Sequence, residues 1–149
     1  MLPFLRKALF WSGVAIFILY YPILISVYVK LPLFIGYAGY LLLLGMEGKR
    51  GYSYIFLPLL YLLNLEANLS LPLLLTVLSV FIYHMIFYNI VNILKRCGVC
   101  VAFISVVAID SIYFALILVY DFIFEGSSIE INSLLLYSLV LDIVAAVAL

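Results

Sequence analysis

Residues 52–75 read YSYIFLPLLYLLNLEANLSLPLLL, a short apolar run that ends in a turn holding a carboxylate, amides, a hydroxyl and a proline. From Tyr52 to Asn64 the run covers only about 20 Å at helical rise, against a hydrocarbon core of about 30 Å. It crosses a bilayer only if the helix continues through Glu66. The side on which everything downstream lies depends on that crossing. So does the purpose of Glu66, which either keeps a turn in water or is a carboxylate held for use.

Composition leaves one solvent for the chain. Of its 149 residues 70% are hydrophobic and 9% charged, with a mean hydropathy of +1.40. Soluble domains are about half apolar and about a quarter charged. The reading is an all-α polytopic membrane protein, a single transmembrane domain over residues 1–149 with no room for a soluble domain beside it. A net charge of zero and the lack of any basic tract exclude nucleic acid as a partner. MLPFLRK has the basic start of a signal peptide. The apolar run from Ala8 to Val29 exceeds the usual ~7–15 residues and lacks a small-residue cleavage site, so it reads as an uncleaved first span.

Charges and turn residues divide the chain into six spans, at about 8–29, 31–46, 52–66, 71–94, 98–120 and 131–149, joined by short loops. The basic residues test this count. Arg6 and Lys7, Lys49 and Arg50, and Lys95 and Arg96 all fall on one side of a six-span layout, leaving Lys30 opposite, as the positive-inside rule requires. Both termini are then cytoplasmic and the chain is a multi-pass protein of the plasma membrane. Without a crossing at 52–66, Lys95 and Arg96 would move outside and the asymmetry would vanish. In this layout Ser70 caps the fourth helix and Pro72 occupies its first turn, where a missing N–H costs no hydrogen bond. Glu66 is left in interfacial water, available to a partner protein, and Glu66→Gln is expected to leave stability unchanged.

Polar groups inside the spans are the other candidates. Asp110 lies in the middle of the fifth span and Asp142 well inside the sixth, where each costs at least ~2.5 kcal/mol to insert unless it faces other helices or water. On the fourth span His84, Tyr88, Asn89 and Asn92 recur at helical spacing as a polar stripe, and His84 reaches a depth similar to that of Asp110. Two readings stand: a proton relay or ligand site built from His84, Asp110 and Asp142, or hydrogen bonds between helices that fix packing. No pattern of a chemical active site is present, and none of a metal or cofactor site. Cys97 and Cys100 form CGVC without the further ligands that zinc needs, and read as two small buried residues. Gly36, Gly39 and Gly45, with Ala145, Ala146 and Ala148, are the expected points of close helix contact.

In layout, and in YLLNLEANLSLPLLLTVL at 61–78, the chain resembles the bacterial rod shape-determining MreD family. That family carries a segment of the form G-L-L-x-D-x-x-x-x-x-P-L-G-x-x-x-L at this place. Glu66 stands for the aspartate and Pro72 with Leu73 for the proline–leucine pair. The glycine before the acid is absent here, and Leu74 replaces the glycine after the pair. The resemblance implies a non-catalytic scaffold of the bacterial inner membrane, without cofactor, that works with MreC and the peptidoglycan-elongation machinery, with Glu66 and Pro72 as partner contacts. Two alternatives remain open. One is the substrate-binding subunit of an energy-coupling-factor transporter, a six-helix protein of similar fold. The other is a small proton-coupled transporter using Asp110, Asp142 and His84.

Overall fold

A computed structural model describes residues 2–28, 30–48, 51–126 and 133–148. Among these residues the chain forms six helices: α1 (Leu2–Val27), α2 (Ile35–Met46), α3 (Ser53–Asn68), α4 (Leu75–Leu94), α5 (Gly98–Phe124) and α6 (Ser133–Ala148). Three stretches are long and apolar enough to cross a membrane, Pro3–Val27, Leu75–Leu94 and Gly98–Phe124, while Ile35–Met46 and Leu135–Ala148 are shorter apolar helices. These properties support a membrane protein.

Successive helices alternate in direction. At one end of the bundle Ile25, Ile35, Leu65, Leu71, Ile117 and Leu135 pack into a common cluster. At the other end Leu42 and Leu43 meet Ile55 and Val91. The centre is α2, in which eight of the 12 residues are buried and which packs against α3, α4, α5 and α6. Glycines make that approach possible. A Cβ on Gly39 would lie 2.9 Å from Ile109 Cγ2, and one on Gly45 would lie 2.8 Å from the Tyr54 carbonyl oxygen. Ala146 is buried with Tyr40, Ala102 and Val106, whereas Ala148 is exposed.

Several boundaries differ from the sequence reading, each for a backbone reason. The first helix begins at Leu2, ahead of Arg6 and Lys7. The second begins at Ile35 and not at 31, because Pro32 disfavours helix at Leu31 and Phe34 takes a left-handed conformation (φ 51). The fourth begins at Leu75: Ser70 (φ 54) and Leu74 (φ 68) are both left-handed, so Ser70 is not its cap and Pro72 lies ahead of its first turn. The fifth runs on to Phe124, taking in Asp121–Phe124, which the sequence reading assigned to a loop. Lys49, Arg50, the remainder of the expected last loop, 127–130, and the first two residues of the expected sixth span, 131–132, lie outside the described residues.

The helix α1 packs on α3 alone among the described helices, and a proline explains how the two are joined. Pro22, inside α1, has no N–H for the Ile18 carbonyl four residues earlier. Asn64 of α3 supplies the missing donor: its Nδ2 lies 2.8 Å from the Ile18 oxygen. Asn68 holds that amide in place by donating to Asn64 Oδ1 at 2.7 Å. Asn64→Leu is therefore expected to cost about 1–3 kcal/mol, the penalty for an unsatisfied buried group. In a Pro22→Ala background, where α1 regains its own donor, the same substitution should cost less than half as much. Additive losses in a denaturation cycle in detergent would refute the link.

Candidate functional site

The segment before α2 is non-helical backbone packed among helices, and the backbone groups of Pro32 and Leu33 are each met by a side chain from a different element. Tyr21 of α1 donates its hydroxyl to the Pro32 carbonyl at 2.9 Å, and Tyr61 of α3 donates to that of Leu33 at 2.9 Å. The Leu33 N–H donates to Ser138 Oγ of α6 at 3.0 Å. Sequence reading gave none of these three side chains this role. The only clue was Pro32 within an apolar stretch, a place where backbone needs outside partners.

The first N–H groups of α2 have no intrahelical acceptor, and Phe34 has no side chain that could cap them. Asp142 of α6 takes that role. Its Oδ2 accepts from the Gly36 N–H at 2.9 Å, and the Tyr37 backbone donates to the same carboxyl group. Asp110 of α5 lies flat against Gly36, where a Cβ would come within 2.7 Å of Asp110 Oδ2. The two buried carboxyl groups lie close enough to interact, and Asp142 Oδ1 has no hydrogen-bond partner among the described residues. Three helices thus meet at one glycine and one carboxyl pair.

Glu66 answers the question raised by its turn. It is 0% exposed, not left in water as the sequence suggested. Its Oε2 accepts from the Leu74 N–H and its Oε1 from the Thr76 N–H, each at 2.7 Å. From the last turn of α3 the carboxylate therefore caps α4, whose own N-cap, Leu74, has no side-chain acceptor. Pro72 is half-buried in the intervening turn. Tyr113 of α5 is buried within electrostatic reach of both Glu66 and Asp110, and its hydroxyl has no hydrogen-bond partner.

The structure brings Asp110 to Asp142 and not to His84. Tyr83 faces α5 and pairs with Ser105 across 2.7 Å, which sets His84 roughly 9 Å from Asp110 along α5 and turns it to the flank of the contact face. The ring contact of His84 is with Tyr88, at a centroid distance of 5.3 Å. Asn89 and Asn92 are exposed on the outer side of α4. The cysteines are also corrected: Cys97 is exposed and bonded to Cys100, and its sulfur caps α5 by accepting from the Cys100 N–H at 3.3 Å.

Between α1, α2 and α3 lies a cavity of about 670 Å³, walled by aromatic side chains including Phe10, Trp11, Phe17, Tyr37, Tyr54 and Tyr61. It extends from Phe10, Gly51 and Ser53 at the end where α1 begins to Phe34 and Tyr61 near the start of α2. Comparison with known protein families, with curated proteins and with solved structures finds no match to the chain.

Two substitutions separate capping from a role in open water. Glu66→Gln replaces one acceptor by a donor facing a backbone N–H, and is expected to lower stability by about 1–3 kcal/mol. An unchanged melting profile would return Glu66 to the turn surface. Asp142→Leu should cost a similar amount, about 1–3 kcal/mol, by leaving the Gly36 and Tyr37 N–H groups unmet. Asp142→Asn, which keeps an oxygen for Gly36 and offers Asp110 an amide hydrogen, should be close to neutral. Equal losses for the two would refute the cap on α2.

Proposed function

We propose that the chain is a multi-pass scaffold of the bacterial inner membrane, similar in role to MreD, which holds partner membrane proteins of the cell-wall elongation machinery, MreC among them. The observation that carries this reading is how the polar side chains of the interior are engaged. Glu66, Asn64, Ser138 and Asp142 each bond backbone of another element, which is the interhelical use a scaffold needs. In this reading the acid of the MreD-like segment orders the turn from within, and partner contact falls to surfaces around it.

The six-span layout, with both termini in the cytoplasm, belongs to the same proposal. Helix direction alternates, and the backbone groups of Pro32 and Leu33 are all bonded, the condition for non-helical backbone at membrane depth. Twelve residues of α2 rise only about 18 Å, so the bonded segment ahead of it makes up part of the crossing. The aromatic cavity gives some weight to the substrate-binding subunit as second reading, since its volume suits a small ligand. It lies toward the end that carries the basic residues, away from the turn at Ser70, where an externally supplied ligand would enter.

Co-expression with MreC from the same source should yield a detergent-stable complex, and loss of the chain should widen or round rod-shaped cells. Failure of MreC to co-purify with folded protein, together with normal cell shape, would overturn the scaffold reading. Co-purification of an ATPase pair instead would establish the second reading. Topology is tested in a background lacking Cys97 and Cys100. A cysteine at 70 should label from outside and one at 95 only from inside, and the reverse pattern would refute the layout.

A further inference from the structure

The outer face of α4 is at odds with its surroundings. Its inner face, Thr76, Ser79, Val80, Tyr83 and Val91, is buried in the bundle. Half-buried His84 lies at its flank, and exposed Tyr88, Asn89 and Asn92 lie beyond, set among exposed Phe81 and Met85. Leu75–Leu94 is one of the stretches long and apolar enough to cross a membrane, and where it crosses this stripe faces hydrocarbon. His84 is the tenth of its 20 residues, midway along the helix. It touches Tyr88 and makes no hydrogen bond among the described residues. Asn92 sits close enough to the helix end for its amide to reach interfacial water; His84 does not. Imidazole and amide groups inside a bilayer find partners on neighbouring helices or in water-filled cavities, and this face has no such partner among the described residues.

We propose that this face of α4 is where a second copy of the chain docks, with the two α4 helices side by side and parallel. Parallel packing follows from insertion, because two copies facing the same way in one membrane are related by an axis along its normal. The chemistry of the stripe favours a like partner. Tyr88 and Asn92 lie on the seam, where a phenol and a carboxamide, each both donor and acceptor, can pair with their own kind across a two-fold axis, while His84 and Asn89 flank it on opposite sides, so that His84 of one copy faces Asn89 of the other. No charged side chain lies within the stripe to oppose such pairing, and Lys95 and Arg96 lie beyond the helix end, in water. Phe81, Met85, Tyr88 and Asn92 follow each other at intervals of four, three and four residues, the spacing that keeps one seam facing a parallel neighbour. The proposal rests on α4 crossing the membrane and is independent of the scaffold reading. A dimer that fails to bind MreC would leave it intact.

The test uses the full chain with Cys97→Ser and Cys100→Ser, carrying single cysteines at 85, 92 or 9. Leu9 of α1 is as exposed as Met85, at 69% against 68%, and serves as the control. In native membranes and in lipid vesicles, oxidation should give dimers at 85 and 92 and not at 9. Energy transfer between labelled copies, followed on dilution with lipid, should show dissociation at least tenfold easier for His84→Ala with Asn89→Ala and Asn92→Ala. The thermal melt should be unchanged, since none of the three bonds the core. Should the triple variant fold poorly, the crosslinking comparison on the otherwise unaltered chain still decides. Monomers at every protein-to-lipid ratio, equal crosslinking at 9, or a dimer indifferent to the triple substitution would overturn the proposal. Crosslinks from 85 and 92 to a different protein alone would overturn it too, and would assign the face to that protein.

Discussion

A helix that starts inside an apolar bundle carries N–H groups that water cannot reach, and α2 is such a helix. Its first donors are met by Asp142, 106 residues away in sequence, and its approach to α5 is closed by Asp110 lying on Gly36. Since α2 touches α3, α4, α5 and α6, the carboxyl pair positions the element around which the others are arranged. The hydroxyls of Tyr21, Tyr61 and Ser138 do the same for the residues just before it. An apolar core has no direction of its own and tolerates sliding. Directional bonds to backbone fix depth and rotation, which hydrophobic contact alone leaves loose.

The same physical device recurs at two other places. Glu66 meets the start of α4 from the end of α3, and Asn64 meets the carbonyl that Pro22 leaves open in α1. In each case a chain irregularity exposes a backbone group, and a polar side chain from another helix satisfies it. These side chains are rare in so apolar a chain, and their use in joining helices is what favours a scaffold over a protein whose acids converge on a ligand. The outer stripe of α4 is the exception: its imidazole and amides make no hydrogen bond among the described residues, so their partner is sought outside the bundle.

Much of the architecture was legible in the sequence. The hydrophobic content specified the solvent, and the sparse charges and turn residues marked the helices, because both are local properties that add along the chain. Boundaries failed where backbone conformation intervened, as at Phe34 and Leu74, whose left-handed dihedrals no residue type announced. The close approach of Gly36, Gly39 and Gly45 could be anticipated, since a missing side chain is itself the signal.

Which polar group meets which was decided by tertiary structure. Asp110 and His84 have compatible chemistry and similar nominal depth, yet the rotation of α4, set by the pair Tyr83–Ser105, turns His84 to the helix flank and leaves Asp110 to Asp142. Glu66 could be read as an exposed turn residue because nothing local distinguishes a carboxylate in water from one that caps the following helix. The sequence by itself determined that this chain belongs in a membrane as a set of helices, for transfer from water depends on summed composition. The bundle alone determined the role of each acid, because a hydrogen bond requires two groups within about 3 Å, and that distance exists only after the helices have packed.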